Sequence, residues 1–378
     1  MKKQNFLLLI SASCFLFSCA SGSKKANSSK ASGGGSGGVS FSTDIKTGSV
    51  SVPAGTAVEV EEAKNILKIG LDALKGKSDI GATAKGNLSF SEKASYKSVS
   101  YIDGSFEHSR ESRQETLVKM KNIKADLAIN DFYKADMAAS ASATGDLTYS
   151  YASTYNGSSE SNCGALSPVS DQSVYAKAYY ENGTAYLDVD PALLKLSGND
   201  YGYSSQDSDA PHKFKRAVGL PDLTFSSALK YINQFEGQGP VSVSASKKNS
   251  KYSIVYTIDP RRLFEWEGDD YDDDKSTFSG SVKVWITFNE SYIYSIGLSS
   301  NAYADAIEAY DSSYSYYVYD ADIEKIQRRV GERRTQVSAR GEVEMKFSYD
   351  KVTAEKVSDP ETYSDVDGGA SYSEVAYY

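Results

Sequence analysis

Apolar residues recur at three- and four-residue steps over positions 58–75, where Ala63, Ile66, Leu67, Gly70, Leu71 and Leu74 form one stripe. That spacing predicts an amphipathic helix. Glu59, Glu61 and Glu62 sit in its first turns, where the positive end of the helix dipole favours acids, and Gly76 can close it. Positions 225–235 predict a shorter helix with Leu229, Ile232 and Phe235 on one side. Positions 191–196 and 260–266 read as short helices begun by a proline. Elsewhere the period drops to two. Ile123, Ala125, Leu127 and Ile129 share one phase; so do Val282, Val284, Ile286 and Phe288, and so do Val337, Ala339, Val343, Met345 and Phe347. The alternate positions are mostly polar, which predicts antiparallel strands with one buried and one wet face.

One hairpin is specified in detail. Asn182-Gly183 favours a two-residue type I′ turn. Counting outward from Glu181 opposite Thr184 puts Tyr180/Ala185, Ala178/Leu187 and Ala176/Val189 on one face. Tyr179/Tyr186 and Lys177/Asp188 then fall on the other, an aromatic pair and an opposite-charge pair. A slip by one residue would mix the faces, so the register is well defined. Several inner phases are rich in alanine: Ala176, Ala178 and Ala185, and upstream Ala139, Ala141 and Ala143. Small side chains leave room above a sheet, for a close-packed helix or for an apolar ligand.

The N-terminus carries a different signal. Lys2 and Lys3 precede twelve mostly apolar residues, positions 6–17. A membrane-spanning helix needs roughly 20, so positions 1–18 fit a secretory signal peptide instead. The sequence Leu16-Phe17-Ser18-Cys19 resembles the lipobox of bacterial lipoproteins, in which the cysteine thiol takes a diacylglycerol group and an acyl chain such as palmitate. Cys14 is disfavoured because Ser11 stands where Leu16 stands for Cys19. Positions 19–40 are dominated by Ser and Gly after the cysteine and read as a tether. Positions 41–365 read as one β-rich domain and 366–378 as a flexible tail.

Composition supports that division. The chain is 40% hydrophobic and 24% charged, enough apolar content for a packed core, and 29 tyrosines favour strands. A net charge of −9 repels nucleic acid and anionic headgroups, so membrane attachment would have to come from lipid on Cys19. With Cys19 acylated, Cys163 is the one remaining thiol and no intrachain disulfide forms. By the resemblance, Ala20 rather than Asp after the lipidated cysteine points to the outer membrane in a cell with two membranes.

Lipobox, tether, amphipathic helix, long strands and the hairpin Tyr179-Tyr180-Glu181-Asn182-Gly183-Thr184-Ala185-Tyr186 together resemble one superfamily. It comprises the periplasmic lipoprotein carriers and the mycobacterial lipid-transport lipoproteins (LolA-like and LppX-like). The segment Phe347-Ser348-Tyr349-Asp350-Lys351-Val352, closing near Pro360, resembles the end of that fold. The resemblance implies a β-rich α+β fold: a large curved antiparallel sheet, an unclosed barrel, with a few helices packed on its concave face. It also implies a cell-envelope lipoprotein binding a lipid-like ligand, with no catalytic residues. The acidic insertions at 197–212 and 268–275 depart from that pattern.

Chemical motifs are sparse. Asp270, Asp272 and Asp274 have calcium-loop spacing, but Lys275 replaces the turn glycine and Ser281 the final Glu. No metal or cofactor is expected. His108 and His212 lack the surroundings of a Ser-His-Asp hydrolase, and no enzyme activity is expected. Arg328, Arg329, Arg333 and Arg334 read as a wet face of a short helix with Ile323, Ile326 and Val330. Tyr314, Tyr316, Tyr317 and Tyr319 offer the competing reading, an exposed aromatic ladder on a surface adhesion or structural lipoprotein that contacts glycan or protein. On the lipid-binding reading, the expected cavity lining is Leu67, Leu71, Leu74, Ala178, Leu187, Val284 and Ile286.

Overall fold

The computed structural model describes residues 48, 50–74, 76–132, 136–155, 158–160, 169–196, 212–217, 241–261, 275–318 and 323–365. Its strands are β1 (Thr56–Val58), β2 (Ile80–Ile102), β3 (Ser105–Asn130), β4 (Ala138–Tyr155), β5 (Ser158–Glu160), β6 (Val169–Glu181), β7 (Thr184–Val189), β8 (Lys213–Ala217), β9 (Val241–Lys248), β10 (Lys251–Ile258), β11 (Thr277–Ser279), β12 (Val282–Phe288), β13 (Ile293–Val318), β14 (Ile323–Ser348) and β15 (Ser364–Asp365). The helices are α1 (Val60–Leu74) and α2 (Pro191–Leu196), with a 3-10 turn at Pro360–Thr362.

All strands join one 15-stranded sheet, in the order β1-β9-β10-β12-β13-β14-β2-β3-β4-β6-β7-β8-β15, with β11 on β13 and β5 on β4. Neighbours are antiparallel except β15, which runs parallel to β8. The end strands β1 and β15 do not pair with each other, so the sheet is open. The chain is mostly β, with few helices among the described residues.

The hairpin of β6 and β7 has the expected register, from Glu181↔Thr184 through Tyr179↔Tyr186 to Ala176↔Val189. Asn182 and Gly183 take φ of 51° and 74°, both left-handed, as a type I′ turn demands. Helix α1 begins two residues later than the periodicity suggests, because Val58 ends β1 and pairs with Ala245 of β9.

Alternation puts the main apolar residues on one face of the sheet. Ile254, Tyr256 and Ile258 of β10 share it with Val282, Ile286 and Phe288 of β12, and with Leu298, Ala302 and Ala304 of β13. It continues through Val337, Ala339 and Val343 of β14, Leu88 and Phe90 of β2, and Leu127 and Ile129 of β3. Near Gly86 a bulge shifts the phase of β3, so the positions on this face change from even (Val118, Met120) to odd (Ile123, Leu127, Ile129) along the strand. Helix α1 packs on this inner face through Ala63, Leu67 and Leu74.

The opposite face is wet only in part, which corrects the simple alternation. Trp285 and Glu342 occupy polar phases yet are 0% and 3% exposed. The cause is a chain segment laid across that face on its way to β1. Val50 and Val52 pack on Val255 and Trp285, while the Glu342 carboxylate accepts from the backbone N–H of Gly48 at 2.7 Å and of Val50 at 3.1 Å. A second strap leaves β14 and crosses the same face. The Asn130 side chain donates to Val352 O and accepts from Ala354 N, and Ser140 Oγ accepts from Glu355 N. That strap ends where Tyr363 packs edge-on against Tyr186, with ring centroids 5.3 Å apart, before β15.

The central strands run far past the core. β3, β13 and β14 each have 26 residues and β2 has 23, but the apolar clusters stop near Phe90 and Ala306. Beyond them the strands form an arm reaching the turn at Asp103-Gly104, with both faces largely polar. The arginine cluster belongs to this arm. Arg328, Arg329, Arg333 and Arg334 lie on β14, not on a helix, because β14 is hydrogen-bonded to β13 on one side and β2 on the other throughout this stretch. Arg328 and Arg334 therefore face one way and Arg329 and Arg333 the other.

Candidate functional site

The inner face under α1 is apolar and buried. Leu67 and Leu74 of α1 meet Ile254, Tyr256, Ile286, Phe288 and Ile293 of the sheet, with Leu71 and Ile66 at the margin. The approach is close because Gly70 faces the β12–β13 turn: a Cβ there would stand 2.4 Å from Asn289 O. Asn289 fixes the turn by accepting from the backbone N–H of Ser291 and Tyr292. Orientation of the helix start comes from a polar chain at the edge. Lys247 Nζ donates to the Tyr252 hydroxyl at 2.7 Å, which donates to Glu62 Oε1 at 3.1 Å. The hydroxyl, with burial opposing it, holds the Lys247 ammonium above its ordinary pKa.

At the other end of α1 an aromatic group joins the helix-covered cluster to the next stretch of inner face. Phe347 and Tyr349 pack against both. The Tyr349 hydroxyl donates to Ile293 O at 2.9 Å and accepts from Ile293 N at 3.1 Å. Burial pushes it far above the usual phenol range, so it stays protonated. Lys77 lies over the Tyr292 ring, 4.3 Å from its centroid, and Tyr292 and Tyr349 rings are 5.0 Å apart.

Of the expected lining residues, Leu67, Leu71, Leu74 and Ile286 come together under α1. Val284, two residues before Ile286, packs on the neighbouring cluster with Leu298, Val337 and Phe90. Ala178 and Leu187 face each other across the β6–β7 hairpin, well along the sheet from α1; Ala178 is half-buried and Leu187 is 42% exposed. The structure therefore divides the seven residues between three places on the sheet. Cys19, Cys163, Asp270, Asp272, Asp274, Tyr319 and the 225–235 helix lie outside the described residues. Tyr314, Tyr316 and Tyr317 fall within β13. His108 is in β3, its Nδ1 3.2 Å from Glu107, and His212 precedes β8 and accepts from Val189 N through its carbonyl.

Trp285, Glu342 and Tyr349 were not singled out by the sequence as site residues. A polar phase hid the first two. The first strap, which pattern does not place, covers them.

No family model matches the chain, and no curated protein does. Among solved structures, a β-barrel-like protein of the domain of unknown function DUF1849 from Brucella abortus is 9% identical, covering 66% of this chain and 96% of its own, at a TM-score of 0.13. The type IV competence pilus secretin PilQ of V. cholerae is 6% identical, covering 72% of this chain and 61% of its own, at a TM-score of 0.08. At such scores neither likeness carries an argument about fold or function.

Proposed function

We propose that the chain is an envelope lipoprotein, anchored in the membrane by acyl chains on Cys19, that binds an apolar, lipid-like ligand without covalent chemistry. The observation that carries the reading is the continuity of the inner face. Apolar side chains run from β10 across β12, β13, β14 and β2 to β3, whereas α1 packs toward one end of that face, over β9, β10, β12 and the start of β13. A 15-residue helix is only about 22 Å long and spans one part of that face. The side chains beyond it, such as Val282, Leu298, Val337 and Phe90, are themselves buried, so a ligand there would take the place of what packs over them. We read the sheet as curving so that this face is concave, with α1 held inside it, as in the LolA-like and LppX-like carriers. Binding would draw on apolar surface removed from water, at roughly 25 cal/mol per Å². The described chain enters the domain at Gly48 and Val50 on the opposite, convex side, where the anchor on Cys19 would attach through the tether. The outer membrane is the proposed location where the cell has two membranes.

Radiolabelled palmitate tests the anchor: it labels the wild-type chain and not the Cys19→Ser variant. Native mass spectrometry of protein extracted from membranes tests the ligand, which appears as an added lipid mass that delipidation removes. A solid core with no added mass in either preparation contradicts lipid binding. The competing adhesion reading draws on the arm, where Phe106, Tyr155 and Ile326 are exposed large hydrophobics.

A further inference from the structure

The two faces of the arm are built differently. On the outer face cations meet carboxylates across the strands: Lys93–Glu115 at 3.3 Å, Lys97–Glu111 at 3.8 Å, Arg328–Asp311, and Arg334–Asp305 at 2.6 Å. On the inner face the register sets three rows of neighbours across β3, β2, β14 and β13. They read His108–Ser100–Arg329–Ser312, then Arg110–Ser98–Gly331–Tyr310, then Ser112–Tyr96–Arg333–Glu308. The middle of this patch has a floor of small residues, Ser98, Ser100 and Gly331, with larger side chains around it. The Tyr96 and Tyr310 rings stack at 5.8 Å, and the Tyr310 hydroxyl lies where a Cβ on Gly331 would come within 2.2 Å.

Its donors lack acceptors. Ser98 and Ser100 are 3% and 1% exposed; the Ser100 hydroxyl has no hydrogen-bond partner, and the Ser98 hydroxyl has only the Tyr96 and Tyr310 hydroxyls near it, without an aligned bond. Arg329 Nε and His108 Nε2 are also buried and unpartnered, and the Tyr310 hydroxyl leans toward Tyr96 and Ser98 without an aligned bond. Buried polar groups are seldom left this way, and several together point to a missing partner. The nearby acids are already engaged: Glu107 accepts from Gln327 and lies against His108 Nδ1, and Glu308 faces Arg333. Neither Arg110 nor Arg329 has an ion pair among the described residues. The surroundings also favour negative charge. Burial opposes ionisation of Tyr96, yet Ser98, Tyr310, Arg329 and Arg110 outweigh it and hold that phenol below its ordinary pKa.

We infer that the inner face of the arm binds an oxyanion group, a phosphate, sulfate or carboxylate, with Arg329 and Arg110 supplying charge and Ser98 and Ser100 neutral donors. The inference does not depend on the apolar-ligand reading.

The test uses the full chain, purified in detergent, titrated with inorganic phosphate and with sulfate at constant ionic strength and followed by calorimetry. Wild type shows saturable binding. Arg329→Gln weakens it about tenfold or more, as expected for loss of a charge-assisted bond. The Ser98→Ala/Ser100→Ala double variant, which changes shape little, also weakens it. Arg328→Gln, on the ion-paired face, leaves it unchanged. Vesicles of phosphatidylcholine with and without phosphatidylglycerol identify the source: binding that needs phosphatidylglycerol and Arg329 marks a lipid headgroup, and a response to free anions alone marks a soluble ligand. No saturable response in wild type to either anion or to phosphatidylglycerol, or equal loss in Arg328→Gln, overturns the inference.

Discussion

Gly70 sets the distance between α1 and the sheet. Alanine there would raise helix propensity by about 1 kcal/mol, but its methyl would meet Asn289 O, and crowding a packed contact costs about 1–3 kcal/mol. Gly70→Ala should therefore lower the urea midpoint; a rise would show that α1 can ride higher without loss. Glu342 acts on the opposite face. Glu342→Ala leaves the Gly48 and Val50 N–H groups without their acceptor, and a cost of about 1–3 kcal/mol is expected for each buried donor stranded. Faster proteolysis next to Val50, at a protease level that spares wild type, would report release of the strap. Asp305 gives a pH dependence. Hydrogen bonds from Arg334, against burial and with help from Gln336, hold its carboxyl below the usual range. A depressed folded-state pKa contributes stability above the unfolded value of about 3.9, lost as pH falls through the folded one. The stability gap between wild type and Asp305→Asn should thus be constant near neutrality and shrink below about pH 4. A gap that does not change with pH would contradict the pairing.

At the scale of elements, local signals did most where they were complete. Asn182-Gly183 named its turn, and the alternating pairs then left one register for β6 and β7. Gly183→Val, forcing a β-branched residue to a φ of 74°, should cost roughly 1–2 kcal/mol and weaken amide protection in this hairpin before others. Helix α1 was equally legible, its stripe being both its periodicity and its contact surface. The arginines of β14 were not. Their spacing with Ile326 and Val330 suits a helix, and only pairing with β13 and β2, set by residues far away in sequence, makes the segment a strand. The same holds for Trp285. A Cβ on Gly297, its cross-strand partner, would collide with the indole, so the glycine makes the seat that the alternation could not reveal.

For the whole molecule, one open sheet carries an apolar inner face, two straps on the other side and a long polar arm. The inner-face residues were readable from phase alone, as Leu67, Leu74 and Ile286 show by meeting in one cluster. How far that surface extends depends on sheet order, which no local pattern encodes; hence Ala178 and Leu187 lie apart from the cluster under α1, on β6 and β7, with Ala178 opposite Ala141. The lipid-binding account asks that this face take up an acyl chain. A spin-labelled fatty acid added to delipidated protein measures that directly. The account predicts an immobilised spectrum that Ile286→Trp reduces and Leu187→Trp does not. A freely tumbling label with folded wild-type protein would contradict it.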